Sequence, residues 1–107
     1  MAKSPSQPDP VNSEEQNAKM AMKTIRIEIK RILDSWDPLS LRGLPGFQNE
    51  YNPFVGPLSV MARKRMPAIE IAAHLDRLMQ LEWKLPPNRE KCLQIAEKIH
   101  RTAAFLD

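Results

Sequence analysis

Residues 20–38 read MAMKTIRIEIKRILDSWDP. Met22, Ile25, Ile29, Ile32 and Trp36 recur at steps of three and four, which places them on one stripe of an α-helix. Pro38 has no amide hydrogen to donate and closes the helix. The spacing predicts an amphipathic helix ending near Ser35. Asn12 or Ser13 is its expected N-cap, with Glu14 and Glu15 in the first turn, where carboxylates suit the helix dipole. Upstream, Pro5, Pro8 and Pro10 stand among Ser4, Ser6 and Gln7 with no apolar periodicity, so residues 1–12 are predicted to be a disordered tail.

Beyond Pro38, Gly43, Pro45, Gly46 and Asn49 mark a long loop, with Leu39, Leu41, Leu44 and Phe47 available to pin it to a core. Asn52-Pro53 reads as an N-cap followed by proline at the first helical position, and Phe54, Leu58, Met61 and Ala62 form the buried side of that second helix. Pro57 is near enough to its start to be tolerated. Met66-Pro67 breaks it and begins a third helix, whose inner stripe is Ile71, Ala72, Leu75, Leu78 and Met79, extending onto Glu82. After Pro86-Pro87, Asn88 caps a fourth helix with Cys92, Ala96, Ile99, Ala103 and Leu106 inward and Leu93 and Ile95 at its margins. The predicted architecture is all-α: a tail over residues 1–12 and one compact four-helix domain over 13–107, with a long loop between its first two helices. Short links predict that consecutive pairs from the second helix onward run antiparallel.

At 107 residues, with 42% hydrophobic and 27% charged, the chain has the composition of one globular domain. Cys92 is the only cysteine, which excludes an intrachain disulfide and points to a reducing compartment. No apolar run approaches the roughly 20 residues of a membrane span, and the N-terminus lacks a signal-peptide core, so a cytoplasmic protein with no membrane partner is expected. A nucleophile elbow, a phosphate loop, metal-ligand spacing and a dinucleotide fingerprint are all absent, so neither catalysis nor a cofactor is expected.

W-D-P at 36–38, E-Y at 50–51, and a glutamate at 82 followed by a short link containing Leu85 form a pattern, completed by a final helix rich in alanine and isoleucine. From about Ile29 to Ala104 the chain resembles a family of small bacterial proteins catalogued as domain of unknown function 1871. The resemblance implies a compact helical fold and no activity. Asn49 stands where that pattern has an acid, and Trp83-Lys84 where it has Met-Gly.

The residues of the pattern have structural readings. Trp36 continues the apolar stripe and is expected to anchor the core with its indole N–H on a carbonyl. Asp37 is expected to accept hydrogen bonds from amides of the following turn. Glu82 falls between Leu75 and Leu78 at 100° per residue, so its carboxylate is expected to be desolvated and to need donors. The Tyr51 hydroxyl, the amides opening the second helix after Glu50, and the Trp36 indole are the candidates. Glu82 would then lock the loop to the core. The alternatives are a ligand- or partner-binding carboxylate and a catalytic acid or base working with Tyr51 and His74.

Three surface features remain. Met20 and Ile27 project opposite the first helix's inner stripe, and Leu81 shares a line with Glu70, His74 and Arg77 on the third, so Met20, Ile27, His74 and Leu81 are candidate contacts for a second copy or another protein. Basic residues cluster at Lys19, Lys23, Arg26, Lys30 and Arg31, and again at Arg63, Lys64 and Arg65; solvated faces explain them, and phosphate contacts are the alternative. Glu70 and His74 form a surface pair, and Cys92 and His100 stand too far apart to chelate one ion, so no metal is expected. The favoured function is a protein-interaction module, including an inhibitor or immunity-type partner. Weak nucleic-acid binding comes second and an enzyme centred on Glu82 third.

Overall fold

A computed structural model of the chain describes residues 10–106, with side chains from Asn17 onward except that of Gln48. The fold is all-α, and no strand occurs among the described residues. Helix α1 spans Pro10–Trp36, α2 is a single turn at Phe47–Glu50, α3 spans Asn52–Arg63, α4 spans Ala68–Arg77 and α5 spans Arg89–Arg101. A π-helical turn, Leu78–Glu82, prolongs α4, and a 3-10 turn, Thr102–Leu106, prolongs α5. The predicted tail over 1–9 lies outside the described residues, while residues 10–12, also assigned to the tail, belong to α1. Asn12 and Ser13 therefore sit inside the helix rather than capping it.

The inner stripes follow the 3.6-residue period, with Leu33 and Val55 buried in addition to the expected residues and Met22, Ile32, Trp36, Phe54, Met61, Ala72 and Leu78 only half-buried. Ile25, Ile29, Leu33, Leu58, Ala62, Ile71, Leu75, Ala96 and Ile99 are fully buried and make one contiguous core. Ile95, expected at a margin, is buried with them. The Asn88 side chain caps α5 by accepting the Lys91 amide at 3.1 Å. Asn52 differs from expectation: it is the first residue of α3, and Tyr51 occupies the cap position with no side-chain cap bond. The Tyr51 hydroxyl is turned back toward α1 instead.

The long helix α1 packs against α3, α5 and the terminal 3-10 turn, and α4 packs on α5. The principal neighbour of α4 is α5 rather than α3. The chain leaves α3 through a left-handed residue, Arg65 at φ 56°, with the Met66 amide bonded to the Met61 carbonyl and the Arg65 amide to that of Ala62. That pair of bonds is a Schellman C-terminus. The Met66 carbonyl then lies 2.8 Å from Nδ1 of His100, which ties the turn to the end of α5.

Candidate functional site

The W-D-P segment and Tyr51 come together, with the Tyr51 hydroxyl, expected to reach Glu82, bonded to Asp37 instead. Asp37 leaves α1 with φ 48°, a left-handed conformation that aspartate tolerates better than most residues. Its Oδ1 accepts the Leu41 amide at 2.8 Å and the Tyr51 hydroxyl at 2.8 Å, and its Oδ2 accepts the Arg42 amide at 3.0 Å. The Tyr51 hydroxyl accepts the Leu39 amide at 2.9 Å. Arg42 completes the corner by donating from Nη2 to the carbonyls of Asp34 and Ser35 at the end of α1. Burial pushes the Asp37 carboxyl up, but the Leu41 amide, the Tyr51 hydroxyl, and the Arg42 amide and guanidinium outweigh it and hold its pKa below the ordinary 3.8. Burial is also the main force on Tyr51; the Leu39 amide opposes it and the Asp37 charge assists it, leaving the phenol at about 12.

Glu82 takes no part in this lock. It is exposed, and Trp83 is buried in its stead. The cause is the π-helical turn, in which the Trp83 amide reaches the Leu78 carbonyl five residues back at 3.0 Å. One extra residue in the turn moves Trp83 into the radial place that an uninterrupted helix would assign to Glu82. The Trp83 ring meets Phe54, Tyr51 and Trp36 edge-on at centroid distances of 5.1, 5.7 and 5.8 Å. The clasp between the end of α4 and the corner of α1 and α3 is therefore aromatic. Lys84 follows at φ 54°, the left-handed conformation that a glycine adopts without strain. Glu50 is also exposed and lies outside the hydrogen-bonded group.

A catalytic trio of Glu82, Tyr51 and His74 is not assembled. Tyr51 is completely buried with its hydroxyl engaged on both sides, Glu82 faces solvent, and His74 is half-buried on α4. Burial, and after it the charge of Arg77, lowers the His74 pKa below 6.5. Among the described residues no three His, Cys, Asp or Glu side chains gather to hold a metal ion.

A concave surface lies elsewhere, where sequence reading placed nothing. A groove of about 310 Å³ runs between α4 and α5. Ile69, Ala72, Ala73 and Asp76 line it at helical spacing from α4, and Arg89, Cys92 and Leu93 line it from α5. Alanines on α4 let the groove form, because their short side chains leave the space between the helices unfilled. Ile69 at 71% exposure and Leu93 at 39% form apolar lips, with Asp76 and Arg89 at the end nearest the α4–α5 link. Oδ2 of Asp76 accepts from Gln80 at 3.0 Å, whereas its Oδ1 is buried without a partner. Burial, and then the charge of Asp76, raises the pKa of Cys92, so the thiol in the groove stays protonated at neutral pH. The spacing of Ile69, Ala72, Ala73 and Asp76 was available in the sequence, but only the pairing of α4 with α5 turns that stripe into a groove.

No family model matches the chain, and no curated protein or solved structure was found that resembles it.

Of the other surface candidates, Met20, Ile27 and Leu81 are exposed as expected. They do not converge: Met20 and Ile27 are on the outer face of α1, and His74 and Leu81 occupy the flank of α4 away from the groove. The basic candidates differ among themselves. Lys30 bridges to Asp34 at 2.8 Å and Arg31 bridges to Glu28, whereas Lys23, Arg26, Arg63 and Lys64 pair with no carboxylate among the described residues. No described helix is long and apolar enough to cross a membrane.

Proposed function

We propose that this chain is a cytoplasmic protein-interaction module, of the inhibitor or immunity type, that works by holding a helix of a partner protein in the α4–α5 groove. The groove itself carries the reading: an apolar trough with exposed isoleucine and leucine lips and an alanine floor, on a rigid helical pair. Amphipathic helices dock in such grooves through residues spaced three and four apart. Asp76 and Arg89 give one end of the groove a polar edge that can orient a partner helix. Membership of the bacterial helical family named above is part of the same proposal and rests on the sequence pattern at residues 36–38, 50–51 and 82–85.

The test compares the native chain with Ala73→Arg, which fills the trough from an exposed position. The expected result is a stoichiometric protein recovered from lysate at moderate salt by the native chain and lost with the variant. The same loss should appear when the purified partner is titrated calorimetrically. Equal retention by both chains would remove the groove from the reading.

A further inference from the structure

The fold gathers basic residues from three helices at one end of the molecule. Tyr51 and Asp37 tie the start of α3 to the end of α1, so the two helices run antiparallel from that corner. At about 1.5 Å per residue, Arg63 lies about 17 Å along α3 from Asn52, as far as Ile25 lies back along α1 from Trp36. The Arg63-Lys64-Arg65 run is therefore level with Lys23 and Arg26. Side matters as well as level. Ile32 and Ser35 share a hollow with Lys91, Ile95 and Lys98 of α5, so α5 occupies that flank of α1. The other flank of α1 carries Lys19, Lys23, Arg26 and Lys30, and Lys30 shares a hollow with Phe47, just ahead of α3. Beyond α3, Arg65 shares a second hollow with His100 and Arg101 at the end of α5. The result is a belt from the side of α1, across the α3 terminus, to the α5 terminus.

Two features set this belt apart from an ordinary solvated face. Cations at the ends of α3 and α5 complement the helix dipoles, which accounts for Arg63 and Arg101 but not for Lys19, Lys23 and Arg26 in the body of α1. None of Lys19, Lys23, Arg26, Arg63, Lys64 and Arg101 pairs with a carboxylate among the described residues. Arg65 is also held at φ 56°, where a glycine would sit without strain. Residues 19–31 hold five lysines and arginines against the single acid Glu28, and residues 63–65 are three bases in a row.

We propose that the belt formed by the Lys19–Arg26 flank of α1, the Arg63–Arg65 turn and Arg101 binds the phosphate backbone of a nucleic acid. Lys19, Lys23 and Arg26 form a row with steps of about 5–6 Å along α1, a linear track of the kind a sugar-phosphate strand presents. A membrane surface asks for apolar anchors in the plane of the charges, whereas Met20 and Ile27 are turned about 90° away from the row. The belt is separate from the α4–α5 groove, so this inference stands or falls independently of the proposed helix docking.

The test is fluorescence anisotropy of the full chain with a labelled 20-base-pair DNA duplex and with the corresponding single strand, from 50 to 200 mM salt. With about four to five phosphates neutralised, affinity is expected to fall by about 10²–10³-fold over that range. Arg63→Glu/Lys64→Glu is expected to weaken binding at least tenfold at 50 mM and to flatten the salt slope by about 2. Lys19→Gln/Lys23→Gln, on an exposed part of α1, should act in the same direction, and circular dichroism confirms that each variant is folded. Ala73→Arg should bind like the native chain. No binding of either probe at about 100 µM protein and 50 mM salt, binding unaffected by both basic variants, or binding of phosphatidylserine vesicles without binding of DNA would each overturn the proposal.

Discussion

Removing the Tyr51 hydroxyl tests whether the corner between α1 and α3 is held by hydrogen bonds or by packing alone. Tyr51→Phe keeps the ring and its edge contacts with Trp83 at 5.7 Å and Phe47 at 6.5 Å. It deletes one bond to a carboxylate, at 2.8 Å, and one accepted from the Leu39 amide, at 2.9 Å. A bond to a charged group is worth about 1.5–3 kcal/mol net and a neutral one about 1 kcal/mol. Asp37 keeps its two backbone donors, and the half-buried Leu39 amide gains water in exchange, so the expected loss is about 2–3 kcal/mol. For a domain of this size that is a fall in Tm of about 10–20 °C, read by circular dichroism at 222 nm and checked by urea denaturation. Asp37→Asn alone and combined with Tyr51→Phe completes a double-mutant cycle, with an expected coupling of about 1–2 kcal/mol. A Tm change below about 3 °C for Tyr51→Phe, or no coupling in the cycle, would refute the lock. The native chain should also lose stability as pH rises from about 10 to 12. The folded phenol titrates at about 12, above its unfolded value, so its contribution is complete below pH 10 and disappears through the folded pKa. Tyr51→Phe should lack that dependence.

Trp83→Ala is expected to cost about 3–5 kcal/mol in urea denaturation, because it empties the centre of a four-ring cluster. Glu82→Gln should stay within about 0.5 kcal/mol of the native chain; a large loss would restore the glutamate to the lock. Lys84→Gly should raise stability by about 0.5–1 kcal/mol in the same assay, since it relieves a left-handed lysine at an exposed turn. Because the folded pKa of His74 is depressed, its contribution to stability is present above about pH 6.5 and is lost as pH falls below it. His74→Gln should accordingly flatten the decline in Tm between pH 7 and 5.

Local rules account for much of what the structure contains. The three-and-four spacing from Met22 to Trp36 needs only helical geometry to define a buried stripe, and Ile25 and Ile29 are indeed fully buried. Pro38, Pro67 and Pro86-Pro87 separate the helices because proline removes a donor wherever it stands, and Asn88 caps α5 by reaching only three residues ahead. The same rules find the turn amides of Asp37 but assign the Tyr51 hydroxyl to Glu82, because the bond from Tyr51 to Asp37 spans 14 residues and no local rule reaches that far.

Glu82 shows where that local reading stops. Counting at 100° per residue assumes an uninterrupted helix, and the π-helical turn at Leu78–Glu82 breaks the assumption by one residue. The broken ladder is compensated by burying Trp83 among Trp36, Tyr51 and Phe54, which lie 29 to 47 residues away in the chain. The groove and the basic belt arise in the same way, from helices distant in sequence placed side by side. Composition and periodicity thus determined the all-α class, the helices and their inward faces, because those depend on contacts within a turn or two. Tertiary packing decided which of Glu82 and Trp83 enters the core, which alanines face a groove and which cations share an end, because each of those depends on the neighbour a helix face meets.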